Sequence, residues 1–367
     1  MGKTEEELVS NDKKLPCPCC LYAGDCVVEW PFSGIGDSVF NYRAEFFRCA
    51  SCGLVWIGNK SDEELSKFYT QECSYFENSH FDISAPANVE KFRFYSSLLN
   101  RDAVECSSMV DVGCGRGGFI RWLAENNSRI NGVGVDVDVK SLPLNTSGGF
   151  PKFIEGFATC LPFEDSTQEL LTYFHVVEHI VDVNRVIGEA KRVLKDGGKL
   201  VIEVPDASRY NQIPISNGFW YSIREHIYHY SPLSIVRLLE KNGFRIVSVN
   251  QQILPTPEFR YSSLIVVAEK GLVKNVVNES ADNSSFEFLL KSKNDISERV
   301  KELQIISSDY DKFVLWGVSN QLLTVLPVLE LPISKIVICD SSKEKQKFTY
   351  RGVSICAPAE SDKKNSL

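Results

Sequence analysis

The stretch Val110-Asp111-Val112-Gly113-Cys114-Gly115-Arg116-Gly117-Gly118 decides the fold. It follows an apolar run at 109–112 and opens a helical pattern at 119–125, so it reads as the turn from a buried strand into its covering helix. Glycines let such a turn enter backbone conformations closed to other residues and let a ligand approach the main chain closely. Asp136, 23 residues after Gly113, ends the next strand-like run, where a carboxylate can accept hydrogen bonds from both hydroxyls of a ribose. Gly113, Gly115 and Gly118 also satisfy the dinucleotide spacing, which keeps an NAD-dependent oxidoreductase as a competing reading. Asp111 separates the two. A carboxylate two residues before the first glycine suits a cationic amine and repels a pyrophosphate.

Working outward, apolar runs at 109–112, 132–137, 170–177, 199–204, 245–249 and 264–268 alternate with helical stretches, including one at 233–241. That alternation predicts an α/β domain over 108–270 with a parallel sheet covered by helices. Ser61 and Glu64 form a capping box for a helix at 61–69, and Val89, Phe92, Tyr95 and Leu99 share a helical face at 87–99, so 59–107 reads as a helical bridge. Residues 271–285 read as a linker and 1–15 as a disordered leader. The tail, 286–367, starts with a helix marked by Leu289, Ile296, Val300 and Leu303, followed by another strand and helix start at 313–329.

Six of the twelve cysteines fall between Cys17 and Cys52, among short strand-like runs, which sets 16–58 apart as a small module. Cys17-Pro-Cys-Cys20 and Cys49-Ala-Ser-Cys52 are two knuckles able to wrap four thiolates around one tetrahedral Zn²⁺, with Gly53 easing the second turn. Four protein ligands leave no open position, so this zinc ribbon is structural. Cys19 and Cys26 are spare. With a net charge of −8 there is no basic excess, so no nucleic-acid partner is expected. No run approaches the length of a membrane span, and the first 15 residues lack a secretory pattern, which predicts a cytoplasmic protein with reduced thiols.

Several blocks now match in order: Val110-Asp-Val-Gly-Cys-Gly115, Asp136, Leu161-Pro-Phe-Glu-Asp165, Val176-Val-Glu-His-Ile180 and Arg192-Val-Leu-Lys-Asp-Gly-Gly-Lys-Leu200 leading into Val201-Ile-Glu-Val-Pro205. In these the chain resembles the class I S-adenosylmethionine-dependent methyltransferases, departing at Gln168-Glu169, where that family usually has Phe-Asp. The resemblance implies a Rossmann-like sheet with S-adenosylmethionine bound by Asp111, Gly113, Gly115, Gly117 and Asp136, and with Ala158, Thr159 and Leu161 near the adenine.

All five histidines lie between His80 and His229. His175-Val-Val-Glu178-His179 has the letters of an inverted zinc-protease motif, but that motif needs a helix and 170–177 reads as a strand. The loop after such a strand faces the ligand crevice, which brings Glu178 and His179 close to a bound methyl donor. A second cluster runs Glu225-His226-Ile-Tyr228-His229-Tyr230-Ser231. With the cysteine pairs, Cys52-Gly-Leu-Val, Tyr69, Tyr75, Phe76 and the tail segments from Trp316 and Ile338, it is similar to the zinc-ribbon deoxysugar C-methyltransferases. That resemblance implies a nucleotide-linked keto sugar as substrate and a short Rossmann-like carboxy-terminal domain. His226, tuned by Glu225, is then the expected base for an α-proton, with His179 and Tyr228 as oxyanion donors or substrate positioners. An O-methyltransferase on a small metabolite would use the same base on a hydroxyl. A non-catalytic zinc-ribbon scaffold is the alternative outside enzymes. Oligomeric state is not encoded in these patterns.

Overall fold

The computed structural model describes residues 13–72, 82–101, 108–126, 131–139, 142, 151–216, 218–256, 259–271, 280–307, 309–329 and 331–360. The leader up to residue 12, Tyr75, Phe76, His80 and residues 272–279 of the expected linker lie outside the described residues.

The amino-terminal module is an antiparallel meander of β1 (Lys14–Pro16), β2 (Ala23–Pro31), β3 (Arg43–Arg48) and β4 (Val55–Ile57). In β2, Cys26, Val28 and Trp30 are buried while Asp25 is exposed, the period-two pattern of a strand with one covered face. Lys14 and Leu15, assigned to the leader from sequence, instead pair with Asp25 and Gly24. The bridge holds α1 (Asp62–Lys67) and α2 (Pro86–Arg101). Ser61 and Glu64 cap α1 reciprocally, as their spacing predicts. Tyr95 of α2 packs with Phe119 and stacks on Phe174 with ring centroids 4.0 Å apart, so α2 is part of the next domain's core.

That domain contains β5 (Ser108–Val112), α3 (Gly118–Asn126), β6 (Asn131–Asp136), β7 (Lys152–Glu155), β8 (Gln168–Phe174), α4 (Val183–Val193), β9 (Leu194–Pro205), α5 (Phe219–Ser222), β10 (Tyr228–His229), α6 (Pro232–Lys241), β11 (Phe244–Pro255) and β12 (Arg260–Lys270). Seven of these strands form one mixed sheet in the order β11-β12-β9-β8-β5-β6-β7, parallel except for β12, which is antiparallel to both neighbours. This is the Rossmann-like α/β sheet expected from the glycine turn. Apolar burial on both faces explains the continuous runs: Met109, Val110 and Val112 are all at most 1% exposed. α4 buries Val183, Val186, Ile187, Ala190 and Val193, one helical stripe, against the sheet. The chain leaves β5 towards β6 and β7 on one side and returns through β8 to β9 on the other, so a crevice opens at the carboxyl ends of β5 and β8.

β10 does not join that sheet. It pairs with β4, placing Tyr228 opposite Trp56 and His229 opposite Val55, and so completes the amino-terminal sheet in the order β1-β2-β3-β4-β10. Ile227, just before it, accepts from the Ile57 N–H at 2.9 Å and donates its own N–H to the Glu178 carbonyl at 2.7 Å.

The tail comprises α7 (Ser284–Ser307), β13 (Phe313–Trp316), α8 (Asn320–Val325), β14 (Ile336–Cys339), β15 (Thr349–Tyr350) and β16 (Val353–Cys356). Ser284 and Ser285, read as linker, are already helical. β13, β14 and β16 are parallel, with β15 returning on β16, around a separate core including Leu323, Ile338 and Ile355. This small sheet docks on the meander, where Trp30 Nε1 donates to the Thr324 carbonyl at 3.0 Å and Ser33 Oγ to that of Leu323 at 2.6 Å. Among the described residues no helix is long and apolar enough to cross a membrane.

Gly53 marks a close approach between modules. Its φ is +76°, and a Cβ there would lie 2.3 Å from the backbone oxygen of Asp282. Gly53→Ala is expected to lower the unfolding free energy by roughly 1–3 kcal/mol in urea melts. An unchanged midpoint would mean that the knuckle and the start of α7 are not held together.

Candidate active site

The glycine turn is built as its sequence predicts. Gly113 has φ +68°, and a Cβ there would fall 2.4 Å from a Val176 methyl, so glycine is required both by conformation and by space. The Gly113 and Cys114 amides donate to the Val135 carbonyl, tying the turn to β6. The Gly115 amide donates to Asp136 Oδ2 at 2.8 Å, so the acid at the end of β6 braces the turn and retains lone pairs for a ligand. Gly117 closes the turn, its amide donating to the Cys114 carbonyl at 2.9 Å. Asp111 lies beneath, its Oδ1 accepting from Thr172 Oγ1 at 2.6 Å. Burial pushes the Asp111 carboxyl up to about 7, and raises that of Asp136 in the same sense. A cationic ligand would reverse that effect by favouring the ionised forms.

A cavity of about 760 Å³ opens over this turn, lined by Asp111, Gly113, Gly115, Asp136, Ala158 and Thr159. The size suits a cofactor together with a small second molecule. Leu161 is buried behind the wall, where its amide donates to Glu189 Oε2 at 2.9 Å. Arg192 forks onto both oxygens of Glu189 and reaches the Leu161 and Phe163 carbonyls, which fixes the 158–163 loop from below.

The cavity extends to Tyr69, His175, His179 and Glu225, so both histidine clusters converge on it. β8 ends at Phe174, His175 takes φ +57°, and Val177–His179 is a short 3-10 turn, so the two imidazoles of the protease-like motif share no helical face. His179 Nδ1 lies 2.8 Å from the Tyr69 hydroxyl and 3.2 Å from the Glu225 carbonyl. His226 stands edge-on to His179 with ring centroids 4.7 Å apart, but is only 8% exposed and lies off the cavity wall. Burial, with the neighbouring His179, holds its imidazole well below the ordinary histidine range, and no hydrogen bond joins its Nδ1 to any described partner. Tyr228 also stands off the wall, its hydroxyl spent on the Val181 carbonyl. His229 is buried under Phe46 and Tyr221 and is pushed down to about 3 by burial, the state of a neutral core histidine.

Sequence reasoning missed the group that fixes this wall. His175 Nδ1 lies 3.0 Å from Glu178 Oε1, and its Nε2 lies 2.9 Å from the Tyr261 hydroxyl and 3.4 Å from Glu203 Oε1. Glu203, fully buried on β9, also accepts from Tyr95, Tyr261 and Ser263. Burial opposes both charges, but the attraction outweighs it: His175 is raised to about 10 and Glu203 lowered to about 2. A glutamate inside an apolar strand at Val201-Ile-Glu203-Val was the only signal available.

Of the six amino-terminal cysteines, the four at the ends of the two knuckles, Cys17, Cys20, Cys49 and Cys52, converge. Their sulfurs lie within 4.8 Å of one another, with Cys17 to Cys52 and Cys20 to Cys49 each at 3.5 Å. Four thiolates on one Zn²⁺ sit about 3.8 Å apart, given bonds of about 2.3 Å, so the cage fits the ion. Cys19 and Cys26 stay outside it. Leu21, with φ +67°, makes the tight turn after the first knuckle, a role for which its side chain gave no warning.

Residues 85–249 match the family model described as a methyltransferase domain. A protein named probable S-adenosylmethionine-dependent methyltransferase from Mycolicibacterium smegmatis is 26% identical over 160 residues, 42% of this chain and 59% of its own length. The sterol 4-C-methyltransferase of Caenorhabditis elegans is 27% identical over 123 residues, 32% of this chain and 36% of its own. The chain thus spans less than two thirds of either relative. Among solved structures, a methyltransferase from Methanosarcina mazei is 20% identical, with 48% of this chain and 97% of that one covered at a TM-score of 0.39. The [4+2]-cyclase SpnF is 17% identical, with 59% and 99% covered at 0.46.

The buried pair predicts a pH signature. His175 rises above its ordinary 6.5, so its contribution is complete below that pH and is lost as pH climbs towards 10. Glu203 falls below its ordinary 4.5, so its contribution is complete above that pH and is lost towards 2. Stability from this pair is therefore greatest between about 4.5 and 6.5. His175→Asn, which tolerates positive φ, should cost roughly 3 kcal/mol at pH 6 by stranding Glu203, and should flatten the decline above pH 7. A variant as stable as the wild type in urea would remove the pair from the account.

Proposed function

Because residues 85–249 are a methyltransferase domain on a class I, Rossmann-like sheet, we propose that this protein transfers a methyl group from S-adenosylmethionine to a small molecule, a nucleotide-linked keto sugar at the carbon beside its ketone. One observation carries the reading: a single cavity joins Asp111, the glycine turn and Asp136 to His179 and Glu225. In it, Asp111 and the 113–117 turn hold the methionine end, Asp136 the ribose, and Ala158 and Thr159 border the adenine. The bound cofactor supplies an activated methyl group that needs little help at its leaving sulfur.

The chain's own work is positioning and proton transfer. Glu225, on the wall, takes the α-proton, and His179 faces the acceptor oxygen as negative charge develops. The proton-accepting role expected of His226 passes to Glu225 in this reading, because His226 sits behind the wall and burial disfavours its protonated form. Arg116 and Arg185, also on the wall, supply positive charge for a phosphorylated acceptor. We assign one structural Zn²⁺ per chain to Cys17, Cys20, Cys49 and Cys52, on the fit of the four sulfurs.

Asp136→Ala should weaken S-adenosylmethionine binding by roughly 1–3 kcal/mol in calorimetry, with circular dichroism unchanged. An unaltered dissociation constant would take the acid off the ribose. Glu225→Gln should keep cofactor affinity and lose roughly 10²-fold or more in transfer to a panel of nucleotide-linked keto sugars. It should also stop exchange of the sugar's α-proton with deuterated water when no methyl donor is present. Exchange absent from the wild type, with methyl found on oxygen, would replace carbon by oxygen as the acceptor.

A further inference from the structure

Behind the wall that His179 presents to the cavity, three side chains are arranged in a way that hydrogen bonding leaves incomplete. Glu178 is fully buried. Its Oε1 takes the bond from His175, but its Oε2 has no partner among the described residues. His226 is nine-tenths buried with its Nδ1 likewise unpartnered. His179 completes the group, and one ligand atom from each of the three lies within 4.8 Å of the others.

His179 is held against the same group. Its Nδ1 lies 2.8 Å from the Tyr69 hydroxyl and 3.2 Å from the Glu225 carbonyl. Its Nε2 lies 3.9 Å from Glu178 Oε1. A buried carboxylate oxygen and a buried ring nitrogen without partners are each unfavourable. A cation between the three groups would satisfy all of these atoms together.

We propose that Glu178, His179 and His226 bind a divalent first-row transition ion, separate from the zinc of the cysteine cage. Two imidazoles and one carboxylate are the donor set for such an ion, whereas calcium or magnesium prefers all-oxygen cages. Three protein ligands leave coordination positions open, and the site adjoins the cavity through His179. Bonds of about 2.0–2.2 Å would draw the ligand atoms inwards by about 1 Å, a movement that rotation of the two rings can supply. The carbonyl of Glu225 then acts as the outer partner that orients His179. The use of the ion, to polarise the acceptor's oxygen, rests on the methyl-transfer reading. Its binding does not.

The test is titration of Co²⁺ into the full-length protein with its cysteine cage loaded with zinc and with neither methyl donor nor acceptor present. One further equivalent per chain should bind, with visible ligand-field bands and without the intense thiolate charge-transfer absorption of a cysteine site. Glu178→Gln and His226→Ala should each weaken that binding at least tenfold and leave the zinc content at one per chain. A second measurement on the wild type guards against variants that fail to fold: ring-proton resonances of His179 and His226 should undergo paramagnetic shifts as Co²⁺ is added. No second equivalent, bands that survive unchanged in both folded variants, or histidine resonances that do not move would each overturn the site. Methyl transfer that fails while Co²⁺ binds as expected would count against the function and leave the metal site standing.

Discussion

Ile227 bonds in two directions, and one wall of the cavity depends on it. Its carbonyl accepts from Ile57 on the edge of the cysteine-knuckle sheet, and its N–H donates to the carbonyl of Glu178 in the loop after β8. One residue thereby joins the amino-terminal sheet, the 225–230 segment and the loop carrying Glu178 and His179. Without the β4 edge, β10 would be a two-residue strand with nothing to pair against, and a segment so short has no stability of its own. The ribbon is therefore more than an appendage: its sheet edge aims the residues on either side of Ile227. Its burial is continuous with the larger domain, since one apolar core runs from Cys17 through Met109 to Leu289.

A second constraint lies in the buried charges. Glu203 and His175 are stable where they are only as a pair surrounded by hydroxyl donors from α2 and β12. The pair also explains how His175 can hold a left-handed backbone conformation: both ring nitrogens are committed, and the strain of order 1 kcal/mol is small beside what those contacts contribute. His175 in turn holds Glu178, whose carbonyl Ile227 grips. Electrostatics from the sheet and hydrogen bonding from the ribbon thus fix the same three-residue turn from opposite sides.

Much of this was legible in the chain itself, and the reason is local. Periodicity marked β5, β6, β8 and α6 because each buries a regular stripe, and Ser61 with Glu64 marked the start of α1 because capping is a short-range interaction. β7 escaped notice because Lys152-Phe-Ile-Glu is too short to show a period. β11 and β12 run longer than their apolar runs because they continue as a hairpin through polar Asn250, Gln251 and Gln252. In the site, the glycine turn was readable because its tight strand-to-helix geometry demands glycine at Gly113 and Gly117. The ranking of His226 above Glu225 as the group to meet an acceptor rested on chemistry without burial, and the pairing of β10 with β4, some 170 residues away in the chain, is what turns His226 inwards. The His175–Glu203 pair was equally out of reach, since nothing in either local sequence names the other.

The ribbon's edge, acting through Ile227, positions the cavity wall around Glu178 and Glu225, while the glycine turn stands independently on the large sheet. Residue-resolved amide hydrogen exchange on Cys49→Ser against the wild type tests this directly. The account predicts that the Ile57 and Ile227 amides lose protection together when the cage is broken, while the Gly113 and Gly115 amides, bonded to Val135 and Asp136, keep theirs. An Ile227 amide that stays as protected as in the wild type, or a glycine turn that opens along with the ribbon, would contradict it.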